Sequence, residues 1–383
     1  MSIIAHVADT HIASTGRLGR DPATGLDRDM LERANALHWC ATDARYHMAD
    51  CLVIAGDLFH TPKPTPTEWQ LTFEALNEWT LGAAQLPVHI LVGNHDLAKQ
   101  PAETSAPRMM AAKCVHVHEL PGIGAQDGFD LATFPYPNKQ VLLSKRPDLG
   151  ALQAEQAMSI AVMDVLRNLA AQRRPGVPLI LAAHLPLGLA RLSSEREMDP
   201  FGMDWSVNPF DLEGLFDLAL LGHYHIPQWP TETVCYAGSP MEFTFGDEQT
   251  DPEAQGRGYY LHDTETGQST FRVYHGAPQH LTLDLRNGDE WPADTEIAEK
   301  IVRVQLAPDD TRDPLDFQKT MMGIGALSCR VERQARPVER RERAVEAGLS
   351  AEEYLRQYVA ERHPDEDVEG VVAEARRIEE AKP

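Results

Sequence analysis

Five short segments hold the residues able to do chemistry: Asp9-Thr10-His11, Gly56-Asp57-Leu58-Phe59-His60, Gly93-Asn94-His95-Asp96, His184 and Gly222-His223-Tyr224-His225. Each follows a short apolar run. Seven of their donors, Asp9, His11, Asp57, Asn94, His184, His223 and His225, are oxygen or nitrogen and none is sulfur. That is too many for one tetrahedral zinc, but it suits two adjacent divalent ions with open positions. One carboxylate must then bridge, and Asp57 is the candidate. Two carboxylates against two divalent ions leave a local charge of about +2. Metals roughly 3.5–4 Å apart can activate water, polarise a phosphoryl oxygen and stabilise a departing alkoxide. The matching reaction is phosphoester hydrolysis.

The elements that must position these groups are legible as alternating strands and helices. Apolar runs at residues 3–8, 52–55, 88–92, 179–183 and 218–221 predict strands, and residues 27–48, 66–81 and 151–172 carry helical spacing. This is an α/β pattern, in which loops beyond the carboxyl ends of the strands converge on one crevice. Alternation puts Asp9 and His11, or His223 and His225, on the same side of an extended segment. Glycines 56, 93 and 222 allow tight turns or close backbone approach beside the donors.

After a hairpin expected over 259–274, a first domain of residues 1–276 ends. Strand candidates at 280–285, 301–305 and 327–331 predict a small α/β unit over 277–334. The remainder, 335–383, reads as two amphipathic helices. The first opens on a Ser350/Glu353 capping-box pattern and presents Tyr354, Leu355, Tyr358 and Val359; the second carries Val368, Val371, Val372, Ala375 and Ile378. Two apolar stripes with little core nearby suggest a partner surface, with folding back onto the chain itself as the alternative.

The chain has 383 residues, 43% hydrophobic and 24% charged, which is globular composition with room for two or three domains. Its 35 basic residues against 58 acidic ones give a net charge of −23, so no global positive field attracts nucleic acid or an anionic membrane. A phosphate-bearing substrate must therefore meet a local positive centre. Five scattered cysteines without a CxxC pair fit reduced thiols, and no apolar run approaches a membrane span. A soluble, cytoplasmic protein is expected. No P-loop is encoded.

Together the five segments resemble the signature of the calcineurin-like metallophosphoesterases. Within that family the Gly56–His60 and Gly93–Asp96 segments, the length and the trailing domains look like its SbcD-type branch of bacterial DNA nucleases. The resemblance implies a β-sandwich core flanked by helices, a small α/β capping domain and a C-terminal helical segment. It also implies two metal ions, most commonly manganese, with Asp9, His11, Asp57 and His225 on one and Asp57, Asn94, His184 and His223 on the other. It assigns His95 to the leaving group or transition state, with Asp96 a candidate to orient it, and His60 to the neighbourhood of the scissile phosphate. The implied partners are DNA, an SbcC-like ATPase and a second copy of the chain. A stand-alone phosphatase or phosphodiesterase is the alternative, and a non-catalytic adaptor a third.

Arg17, Arg20 and Lys63 lie in loops after the donor segments, where they read equally as contacts to a phosphate backbone or as ordinary solvated surface charge. Trp69, Phe73 and Leu76 form a stripe that reads as core or as a dimer helix. His6, His89, His116 and His118 alternate with apolar residues or sit in strands and are assigned no function.

Overall fold

The computed structural model describes residues 2–81, 85–98, 104–146, 148, 154–193, 205–248, 256–288, 292–333, 353, 355, 356, 359 and 367–380. It forms two compact units, residues 1–332 and 333–383.

Two sheets make the centre of the first unit. One has the order β11-β10-β1-β2-β3-β4, built from β1 (Ile3–Val7), β2 (Cys51–Ile54), β3 (Val88–Leu91), β4 (Val115–His118), β10 (Gly258–Asp263) and β11 (Ser269–Val273). The other has the order β5-β6-β7-β8-β9, from β5 (Gly122–Ala125), β6 (Asp130–Phe134), β7 (Leu179–His184), β8 (Leu218–Gly222) and β9 (Val234–Tyr236). Strands β1 to β4 pair in parallel, as do β6 to β9. Consequently the carboxyl ends of β1, β2, β3, β7 and β8 can deliver their loops to one edge of the sandwich.

Side-chain alternation builds the layers. Ile4, Ala8, Cys51, Val53, Ala55 and Leu91 of the first sheet pack on Phe129, Leu131, Ile180, Ala182, Leu220 and Ala237 of the second. The intervening residues face outward. Ala5, Val7, Leu52 and Ile54 meet helix α1 (Arg28–Tyr46), and Leu179, Leu181 and Leu221 meet the helix Ala154–Ala170. The strands therefore read as continuous apolar runs because both faces are covered.

Asp27 caps α1 by accepting from the Met30 amide at 3.0 Å. The next helix, α2 (Pro66–Ala75), starts on a capping box between Thr65 and Glu68, with Pro66 at its first position. A single helix over 66–81 is not formed. At Leu76 the backbone leaves the helical range (φ −98°, ψ 3°), and a short turn Asn77–Thr80 follows. Trp79, fully buried, donates from its indole to the Ala41 carbonyl at 2.9 Å and so draws that turn against α1.

A three-stranded sheet, β12 (His280–Asp284), β13 (Ile301–Leu306) and β14 (Ser328–Arg333), completes the first unit. With the helix Pro314–Ile324 it buries its own cluster, including Leu283, Val302, Val304, Leu306, Phe317 and Met321. In the second unit a helix spans Val368–Glu380, with Val372 buried and Val371 exposed. Arg356 pairs with Glu369 at 2.9 Å. Ser350 and the start of the first expected helix lie outside the described residues. Among the described residues, no helix is long and apolar enough to cross a membrane.

Gly222 tests the close fit of the strand ends. A Cβ placed there would meet the Ala55 carbonyl oxygen at 2.1 Å and the Ala8 side chain at 2.9 Å. Gly222→Ala should therefore destabilise the protein by about 3 kcal/mol, at the upper end of overpacking costs. Denaturant unfolding measures this, and an unchanged midpoint would refute the packing described.

Candidate metal centre

The backbone at the donor positions is unusual. Among the described residues seven non-glycine positions have positive φ, and four of them are candidate ligands: Asp9 (52°), His11 (45°), Asp57 (50°) and His223 (109°). Such conformations cost roughly 1–3 kcal/mol each and persist only where the surroundings impose them. Here the first two loops are laced together: Asp9 N donates to Gly56 O (3.1 Å), His11 N to Asp57 O (2.9 Å), Ile12 N to Leu58 O (2.9 Å) and Thr10 Oγ1 to Leu58 O (2.9 Å). Gly93 completes the cradle, since a Cβ there would lie 2.1 Å from Asp57 Oδ1.

All seven predicted donors converge. His11 Nε2 and His225 Nε2 face each other at 3.2 Å, and His11 Nε2 lies 3.7 Å from Asp57 Oδ2. Asn94 Oδ1 is 2.9 Å from His184 Nε2 and 3.1 Å from His223 Nδ1, while His184 Nε2 is 3.4 Å from Asp57 Oδ2. Metal–nitrogen bonds of roughly 2.1 Å at right angles would separate neighbouring ligands by about 3 Å. The spacing therefore fits cations. The triplets Asp9, His11, His225 and Asp9, Asp57, His184 each bring one ligand atom per residue within 4.8 Å of the others. The second triplet joins Asp9 to residues of both expected ligand sets.

Electrostatics make the same demand. Asp9 and Asp57 are buried, and imidazoles converge on them. Burial works against the charged Asp57, but His184 above all holds its carboxyl well below the usual range. Reciprocally, burial works against a charged His184, yet Asp57 and then Asp9 push it up to about 9. Burial drives His11 and His223 well below the ordinary imidazole value. His184 Nδ1 donates to the Ala55 carbonyl at 2.8 Å, which leaves Nε2 as the atom turned toward Asn94 and Asp57. The proton drawn to Nε2 stands where a cation would supply charge. His223 Nε2 and His11 Nδ1 are buried without a hydrogen-bond partner.

His95 and His60 lie beside this pocket. His95 Nδ1 sits 3.0 Å from the His60 carbonyl and its amide donates to Asp57 Oδ1 at 2.9 Å. The two rings stack at 4.9 Å, and His95 meets the His11 ring edge-on at 4.8 Å. Burial, followed by His95, lowers His60 to about 4. Asp96 does not orient the His95 ring. Its carboxylate accepts from the amides of Leu58 (3.1 Å), Phe59 (2.9 Å) and Gly93 (3.1 Å), binding two donor loops into one piece. Adjacent residues in this turn face apart.

Arg17 is likewise not a free phosphate contact. It donates to Asp29 at 2.8 Å and to the Phe243 carbonyl. Asp29 also holds Arg33, which donates to the His11 carbonyl at 2.6 Å. Arg20 bonds the Gly25 carbonyl at 2.8 Å and Lys63 is exposed. Sequence reading missed Arg33, although its i,i+4 spacing from Asp29 was visible, and missed the Phe243 ring, 5.3 Å from His11 and 5.4 Å from His225. Tyr136, whose ring lies 6.0 Å from His184 and 5.9 Å from His223, carried no motif.

A two-sheet sandwich whose strand-end loops gather two carboxylates, an amide and four imidazoles defines a dimetal phosphoester hydrolase. Residues 3–227 match the calcineurin-like phosphoesterase family, and the chain belongs to it. Curated relatives, each the SbcD component of an SbcCD nuclease, are similar to it. The one from Bacillus subtilis is 24% identical, covering 64% of this chain and 63% of its own. That from Rhodobacter capsulatus is 29% identical, covering 62% of each. The chain thus spans less than two thirds of the length of these relatives. A dimetal phosphatase from Danio rerio is similar at a TM-score of 0.38 and 10% identity, covering 68% of this chain and 91% of its own, too distant to inform on substrate.

Cation binding requires His184 Nε2 unprotonated, so apparent affinity should rise with pH and level off near the His184 value of about 9. Calorimetric titration with manganese in buffers of different ionisation enthalpy should show proton release at pH 7. Release absent at pH 7 would contradict the proton-for-cation exchange.

Proposed function

We propose that the chain is the nuclease component of a DNA-processing complex, hydrolysing phosphodiester bonds with two divalent ions, most often manganese, and working with an SbcC-like ATPase. The observation that carries this reading is the convergence of Asp9, His11, Asp57, Asn94, His184, His223 and His225 on one pocket, with Asp57 between the His11 and His184 sides. The names of the curated relatives supply the substrate class and the partner.

Asp9, His11, Asp57 and His225 would hold one ion and Asp57, Asn94, His184 and His223 the other, with Asp57 bridging. When bound, the pair activates a water and neutralises charge on the phosphoryl oxygens. Oxygen and imidazole ligands accept manganese readily without demanding it. The rest falls to the protein. The His60 carbonyl fixes the hydrogen on His95 Nδ1, leaving Nε2 to carry a second proton to the departing 3′ or 5′ oxygen. His60, held neutral by burial, supports the His95 ring from one face. Asp96 keeps the Asp57 and Asn94 loops in register through their amides.

Within a chain of net charge −23, such a centre offers DNA a local attraction, and the ATPase would supply the remaining grip. Residues 277–334 would cap the site on the 1–276 domain, and the helices of 335–383 would dock the ATPase. The α2 face, where Phe73 is 46% exposed, would join two copies into a homodimer. A DNA substrate and an ATPase partner go with a cytoplasmic location. A stand-alone phosphatase would share the pocket but not the digestion of linear duplex DNA.

His95→Ala should lower manganese-dependent digestion of linear duplex DNA by about 10² to 10⁴-fold while metal content and folding persist. Equal activity would remove the proton-donor role, and failure of the unaltered protein to digest DNA, alone or with the ATPase, would overturn the nuclease reading. Changing Leu355 and Val371 together to Asp should abolish co-purification with the ATPase; retained association would exclude the C-terminal helices as the docking element.

A further inference from the structure

A second cluster of donors lies inside the sandwich, away from the strand-end pocket. His6 on β1, His262 on β10 and Cys235 on β9 each present one ligand atom within 4.8 Å of the other two, and all three are buried. Register explains the meeting. Ile4 pairs with His262 and His6 with Tyr260, so the two imidazoles sit diagonally on the inward face of the first sheet. Cys235 pairs with Leu220, an inter-sheet core residue, and so faces them from the second sheet.

Their hydrogen bonds aim the lone pairs inward. His6 Nε2 donates to the Leu221 carbonyl at 3.1 Å, which leaves Nδ1 as a lone-pair atom. His262 Nδ1, 2.7 Å from Ser269 Oγ, can donate there, leaving Nε2 as the other. These two nitrogens lie 3.4 Å apart as a hydrogen-bonded pair, so an ion would take the place of the shared hydrogen, with His262 moving it from Nε2 to Nδ1. A trigonal ion with bonds of roughly 2.0 Å at 120° would hold them about 3.5 Å apart. The Cys235 sulfur is fully buried and has no hydrogen-bond partner among the described residues. A cleft of about 600 Å³, lined by Trp229, Thr233, Leu218 and Ser269, reaches His262.

We propose that His6, Cys235 and His262 form a buried trigonal site for a soft, filled-shell cation, and that cuprous ion suits it better than zinc. Charge decides between them. One thiolate neutralises a monovalent ion completely, whereas a divalent ion would leave a net positive charge in a site whose three donors include no carboxylate. Binding moves the thiol proton to solvent and forms one sulfur and two nitrogen bonds, with no redox change. Since the donors come from both sheets, the ion would staple the sandwich and stabilise the folded protein by mass action.

The test uses the full-length protein, reduced, anaerobic and first loaded with manganese, then titrated with cuprous ion against bicinchoninate. One copper per chain is expected, with an X-ray absorption shell of one sulfur and two nitrogens and a melting temperature raised by several degrees. Cys235→Ser should lose the sulfur scatterer and the thermal shift; if that variant does not fold, His262→Gln provides the comparison and the unaltered protein's absorption shell still decides. A sulfur-free shell, or the same shell and shift in the variants, would overturn the site. Zinc held with one sulfur where cuprous ion is not would overturn the charge argument and with it the assignment.

Discussion

The constraint on which the rest depends is the burial of two carboxylates, Asp9 and Asp57, among converging imidazoles. Buried carboxylate charge is costly unless positive charge or hydrogen-bond donors stand against it, so the site favours cations. The sandwich supplies the frame for doing so. Parallel strands point their carboxyl ends one way, covered faces keep those ends immobile, and laced loops force the ligand backbones into left-handed conformations they would not otherwise adopt.

That frame also explains the division of labour between neighbouring residues. His95 and Asp96 are adjacent, yet one turns its ring toward the pocket and the other turns its carboxylate onto three amides. The first is placed to touch substrate. The second keeps two loops at a fixed separation, which governs how far apart Asp57 and Asn94 can hold their oxygens.

Much of this was legible because chemistry and periodicity coincided. Five apolar runs ended at polar segments, and the observed strands stop within about one residue of those points, so the set of side chains that converge could be read from the chain alone. What escaped was what lacks a repeating signal. β5 hid in Gly122-Ile123-Gly124-Ala125, whose residues favour no particular element. The helix after Pro66 broke because a tertiary bond from Trp79 outweighed local propensity. Arg17 resembled an exposed cation until its buried partner Asp29, twelve positions away, claimed it. Supporting groups are set by three-dimensional proximity, and spacing along the chain does not report that.

Arg17 also stands at a junction. Its guanidinium touches Asp29, the Phe243 carbonyl and, at 3.4 Å, His280 Nε2 at the first residue of β12. Asp29 grips Arg33, and Arg33 grips the His11 carbonyl. The root of the three-stranded sheet is thus geared to a ligand loop by an unbroken train of charged groups. A displacement of that sheet would be passed along these contacts to the His11 loop, so the small sheet is mechanically coupled to the geometry of the centre.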